Sequence, residues 1–161
     1  MAEIETRLRE LGLPLPAPIR LPPGVLIRFP WVNVRGDRAF VSGHVPLAAD
    51  GSLAQPLGRV GQEVTPEEAY GAARSVGLAI LASLRTELGD LDRVVAWLRV
   101  FGMVNTAPAF RAYPMVINGF TDLILDLYGP ERGRHARSAV GMAGLPFDVA
   151  VEIEAEVLIR P

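Results

Sequence analysis

From Val151 to Val157 apolar and acidic residues alternate without a break. Val151, Ile153, Ala155 and Val157 fall on one side of an extended chain, and Glu152, Glu154 and Glu156 fall on the other. A period of two cannot serve a helix, so this stretch is a strand with one face in a core. Carboxylates at i and i+2 stand roughly 7 Å apart, so the acidic face is either washed by water or answered by fixed cations. The longer segment from Arg137 to Ile159 reads as two strands joined by a tight Gly144-Leu145-Pro146 connection, a hairpin in which Arg137 is the nearest candidate cation.

Composition narrows the chemistry. The chain has no cysteine, and all 16 of its basic residues are arginine. Disulfides, thiolate metal sites, cysteine nucleophiles and Schiff bases on a lysine are thereby excluded. What remains is arginine as a fixed cation, carboxylates, two histidines, hydroxyls and the backbone. His44 and His135 could form an acid and base pair, or a metal site with Glu152, but neither lies in a metal-spaced motif, and no metal or cofactor is expected. Ser42 and Ser138 lack a nucleophile elbow.

A formal charge of −2 with interspersed signs offers no cationic stripe for nucleic acid; the cluster from Arg132 to Arg137 is the closest approach. No stretch has the apolar length to span a bilayer, and Met1 to Arg7 lacks a signal-peptide pattern, so a single soluble domain in the cytoplasm is expected.

Along the chain, residues 2 to 11 suggest a short amphipathic helix with Ile4, Leu8 and Leu11 on one side. Pro14, Pro16, Pro18, Pro22 and Pro23 then demand an extended arm, expected to lie docked on its own domain. A hairpin follows, with Val32 to Val34 and Ala39 to Val41 around Arg35-Gly36-Asp37-Arg38, before the chain leaves the strand at Ser42 to Pro46. Residues 48 to 63 read as a loop.

Thr65-Pro66-Glu67-Glu68 is a capping-box helix start, and the helix should run to Leu88 and stop at Gly89, with Ala69, Ala73, Val76, Ile80, Leu84 and Leu88 inward. Arg93 to Val104 reads as a strand apolar on both faces, and Pro114 to Tyr128 as a second helix ended by Gly129-Pro130. The order β-β-α-β-α-β-β implies an α+β fold, one mixed sheet with two helices on one face. The uncovered face should pack against other copies in a homo-oligomer.

The run Ala136-Arg137-Ser138, with Val140, Ala143, Leu145 and Pro146, followed by Glu152 and Glu154, resembles the signature of the RidA/YjgF family. The resemblance covers residues 25 to 161, with residues 1 to 24 as an additional helix and arm. It implies a chorismate-mutase-like fold, a homotrimer with clefts between subunits, and hydrolysis of reactive enamines or imines to keto compounds and ammonia. It also implies that Arg137 holds the carboxylate of a 2-imino acid while Glu152 orients or deprotonates the attacking water. The alternative role of Arg137, a salt bridge to Glu152 or Glu154, is equally open on the residues alone.

By the same resemblance, Gly43 turns its carbonyl to the site within Ser42-Gly43-His44-Val45-Pro46. Ala139 stands where cysteine is common, and its backbone would serve. Trp31 takes the place of a site tyrosine, with Phe29 as the other candidate, and His44 stands where glutamine is frequent. Phe110, Tyr113 and the Asn118-Gly119 pair are candidates for a pocket wall, with core packing and helix capping as their simpler roles. Rival readings are a trimer that binds small carboxylates without catalysis, and an enzyme acting on another carbonyl-type substrate.

Overall fold

The capping box at Thr65 forms as its sequence requires. The Glu68 amide donates to Thr65 Oγ1 at 3.2 Å and the Thr65 amide donates to Glu68 Oε2 at 2.9 Å. From it α2 runs Pro66–Leu88 and ends on Gly89 at φ 78°, a left-handed position that glycine adopts without strain. The computed structural model describes residues 3 to 160. Its other elements are α1 (Glu3–Glu10), β1 (Val32–Arg35), β2 (Arg38–His44), β3 (Val94–Asn105), α3 (Tyr113–Gly133), β4 (Ala136–Met142) and β5 (Val151–Ile159).

One five-stranded sheet carries the strands in the order β1-β2-β5-β3-β4, antiparallel except for the parallel pair β3 and β4. The expected α+β arrangement is present, one mixed sheet with α2 and α3 on one face. The inward positions of α2 are all buried, and the inward residues of β5 (Val151, Ile153, Ala155, Val157) close the core against them. Trp97 from β3 stands edge-on to Phe120 and Tyr128 of α3, at 5.5 and 5.8 Å between ring centroids.

Three expectations need correction. The segment from Arg137 to Ile159 is not a hairpin: β3 lies between β4 and β5, pairing with each of them. The intervening residues pass through a short irregular turn, Pro146–Asp148, rather than a tight reversal. Leu11 is 49% exposed, so the buried apolar side of α1 consists of Ile4 and Leu8. The second strand of the first hairpin, β2, continues to His44, with a register shift between Val41 and His44 that marks a bulge.

The second helix does break at Gly129 (φ 70°, ψ 174°), and a further helical turn follows to Gly133. The proline-rich arm is docked: the Ala17 amide donates to the Ala49 carbonyl and the Arg20 amide to that of Gly51. Among the described residues no helix is long and apolar enough to cross a membrane.

Candidate functional site

The acidic face of β5 points away from the helices, and its three carboxylates meet different environments. Glu156 is answered by Arg38 on the neighbouring strand at 2.7 Å, while Glu154 is exposed. Glu152 is half-buried, has no hydrogen-bond or ionic partner among the described residues, and reaches over Gly43. A β-carbon at position 43 would overlap Glu152 Oε1, so glycine at the bulge of β2 is what lets this carboxylate lie there. Burial, and secondarily the charge of Glu154, raise the Glu152 pKa above the usual carboxylate range. A carboxylate so placed exchanges protons more readily near neutral pH than a solvated one.

Glu152 and Gly43 line a cavity of about 610 Å³ that also takes in Trp31 and His44. The Trp31 ring lies between Phe29, at 5.4 Å, and the His44 imidazole, at 5.1 Å. His44 is buried, and burial lowers its pKa to about 4, so the ring is neutral at pH 7. Its Nδ1 faces the Ser42 carbonyl at 2.6 Å, which requires a proton on that nitrogen. Nε2 is then an acceptor, and the Ser83 hydroxyl of α2 donates to it at 2.8 Å.

Phe147 and Pro146 complete the wall beside Glu152. Among the described residues, Phe147 and Asp148 are the non-glycine residues in the left-handed region, at φ 57° and 59°, a local strain of the kind that collects at binding sites.

Arg137 lies elsewhere. It projects from β4 toward α3, where its Nη1 donates to Asn118 Oδ1 and Thr121 Oγ1, both at 2.9 Å, and its Nη2 donates to the Pro114 carbonyl at 3.2 Å. Every one of these acceptors is neutral. Of the five donors of the guanidinium, Nε–H and one Nη2–H remain without a partner among the described residues, which is the fork that a carboxylate would accept. Burial lowers the Arg137 pKa, and the Asp122 charge opposes that shift.

His135 supports the arrangement from behind. Its Nδ1 lies 2.7 Å from the Gly133 carbonyl and must carry a proton, so Nε2, at 3.1 Å, accepts from Thr121 while the same hydroxyl accepts from Arg137. Ala139 and Gly141 follow Arg137 on the same side of β4; Ala139 packs on the core, and Gly141 leaves room for the Tyr113 ring. Phe110 stands 6.0 Å from Tyr113 and packs over Gly61.

The candidate residues thus fall into two groups. Trp31, Gly43, His44 and Glu152 share the cavity; Arg137, Ala139 and Phe110 belong to the α3 side. Sequence reasoning missed Ser83, Phe147 and Thr121 as neighbours of these groups. Ser83 could have been found from its helical spacing to Ala79 on α2, whereas a left-handed Phe147 leaves no sequence signal. No group of three or more histidine, aspartate or glutamate side chains among the described residues could hold a metal ion.

The family model described as "YjgF/chorismate mutase-like, putative endoribonuclease" matches residues 5–153. Protein TCP17 of Trypanosoma cruzi is 38% identical over 154 residues, which span 96% of this chain and 92% of that protein. The crystal structure of Atu1372, a protein of unknown function from Agrobacterium tumefaciens, superposes with a TM-score of 0.86 at 38% identity, covering 99% of this chain and 94% of the other. That of a putative endoribonuclease from Shewanella oneidensis does so with a TM-score of 0.86 at 28% identity, covering 97% and 99%.

Proposed function

We propose that the chain, which belongs to the RidA/YjgF, chorismate mutase-like family, hydrolyses 2-imino acids and their enamine tautomers to 2-keto acids and ammonia, as a homotrimer with its sites between copies. The observation that carries the reading is a pair of uncompensated charges. Among the described residues no carboxylate lies within ion-pair distance of the Arg137 fork and no cation within that distance of the half-buried Glu152, and the two project from opposite faces of one sheet. Each is what the other lacks, and a second copy seated on the sheet edge would bring them together around one ligand.

In that site Arg137 donates its two free N–H groups to the substrate carboxylate, fixing the imine carbon in place. Glu152 of the adjoining copy takes a proton from a water as its oxygen bonds to that carbon, and the C=N π electrons move to nitrogen. Glu152 then returns the proton to the nitrogen. Collapse of the tetrahedral adduct, with transfer of the hydroxyl proton, forms the C=O bond and expels ammonia: imino acid plus water gives keto acid plus ammonia. An iminium carbon is already electrophilic, so a positioned water and a proton path suffice. E. coli TdcF, of the same fold at a TM-score of 0.57 and 18% identity, has been solved with bound serine, which supports an amino-acid-sized carboxylate as the ligand.

The test couples an amino-acid oxidase to semicarbazide trapping of the imine. The expected result is faster imine loss with the wild type and none with Arg137→Ala or Glu152→Gln. No acceleration with any amino acid, together with binding of small carboxylates, would instead make the chain a carboxylate-binding protein.

A further inference from the structure

We propose that the cavity under the proline-rich arm receives a large apolar side chain of the substrate, so that 2-imino acids with branched aliphatic or aromatic side chains are preferred over those with a methyl group. The inference rests on the reading of Glu152 given above and adds the substrate class.

The space beside Glu152 far exceeds what the reacting atoms need. A cavity of about 610 Å³ falls in the range of pockets that take up whole small molecules. Its lining is chiefly apolar: Pro18, Ile19, Leu21 and Ile27 come from the arm, and Ala79 and Ala82 from α2. Ala79 and Ala82, three residues apart on α2, leave room where leucines would fill it.

The roof is fixed in place. Backbone bonds from Ala17 to Ala49 (3.0 Å) and from Arg20 to Gly51 (2.8 Å) hold the arm to the loop beneath it. Gly51, at φ 84°, admits that contact because a β-carbon there would overlap the Pro18 carbonyl.

The polar groups of the inner wall point to the same class of ligand. His44 and Ser83 satisfy each other, and His44 is neutral, so neither offers a charge to a substrate side chain. Arg85 and Glu87 stand at the exposed rim with opposite signs. Among the described residues that line the cavity, Glu152 is the one ionic group away from the rim. A substrate held by its own carboxylate on Arg137 of the adjoining copy, with its imine carbon at Glu152, would direct its side chain into this apolar space.

The experiment has two readouts. In the first, hydrolysis of the imines derived from leucine, phenylalanine and alanine is compared for the wild type, for Ala82→Phe, which fills the cavity, and for Ile19→Ala with Ile27→Ala, which strips the arm and spares the helix. In the second, equilibrium binding of a branched 2-keto acid is followed by quenching of Trp31, since Trp97 is buried in the core.

The expected result is a preference for the large imines that falls about tenfold or more in Ala82→Phe and is weakened in the arm variant, with parallel losses in keto acid binding. Equal or faster hydrolysis of the alanine-derived imine, with a ratio that neither variant moves, would overturn the inference and leave the deaminase reading intact. Turnover of no imine, with keto acid binding that Ala82→Phe abolishes, would sink the deaminase reading and sustain the apolar site. Neither turnover nor binding would overturn both.

Discussion

Arg137 and Glu152 project from opposite faces of one sheet, on strands separated by β3. Arg137 sits level with Val100 and, beyond it, Ala155, on the side of α3, whereas Glu152 lies on the other side and reaches over Gly43. Two strand spacings, roughly 10 Å, and the sheet itself stand between them. No rotamer within one chain closes that distance, which is why the proposed chemistry needs two copies.

Gly43→Ala separates the position of Glu152 from the stability of the fold. The added methyl would meet the far end of a flexible side chain, which can swing away, while β2 itself is undisturbed. Thermal unfolding should place the variant within about 1 kcal/mol of the wild type, while imine hydrolysis falls by an order of magnitude or more. Unchanged turnover would show that the carboxylate does not act from its place over Gly43.

Asn118→Ala removes one of the three acceptors that aim the Arg137 fork. Asn118 is exposed, so stability should hardly change. KM for the imino acid should rise severalfold, by about 1 kcal/mol of lost positioning, with a smaller change in kcat. Steady-state kinetics decide it; an unaltered KM would mean that Thr121 and Pro114 suffice.

His44 predicts an acid sensitivity with a defined sign. Its folded pKa of about 4 lies below the unfolded value of 6.5, so the unfolded chain binds the proton first as pH falls. The stability that follows from a neutral His44 is complete above pH 6.5 and is lost progressively down to about pH 4, by roughly 3 kcal/mol in all. Urea unfolding at a series of pH values should show this slope in the wild type and lack it in His44→Gln. Parallel profiles would assign the acid sensitivity to carboxylates instead.

Local signals in the sequence were faithful where the structure they specify is local. Thr65, Pro66 and Gly89 delimit α2, the Gly36-Asp37 turn between Arg35 and Arg38 closes the β1 and β2 hairpin, and the alternation of β5 sorts its buried from its acidic residues correctly. Pairing of β4 and β5 failed because it is not local. Alternation says which side of a strand is apolar but not which strand lies beside it, and β3, far earlier in the chain, takes the place between them.

The same limit governs the site. The residue types at Arg137 and Glu152 stood out in the sequence, whereas the faces they occupy depend on that pairing. The cavity under the arm likewise arises from Pro18 to Ile27 meeting α2 across the fold, which no motif records.

The claim that one ligand is held by Arg137 of one copy and Glu152 of another is tested most directly by mixing. Arg137→Ala and Glu152→Gln, each inactive alone, would be unfolded together and refolded as mixed trimers. If the site is shared between copies, random assembly leaves about a quarter of the sites with both native residues, and imine hydrolysis should return to about a quarter of the wild-type rate. Mixed trimers that assemble and remain inactive would contradict the account.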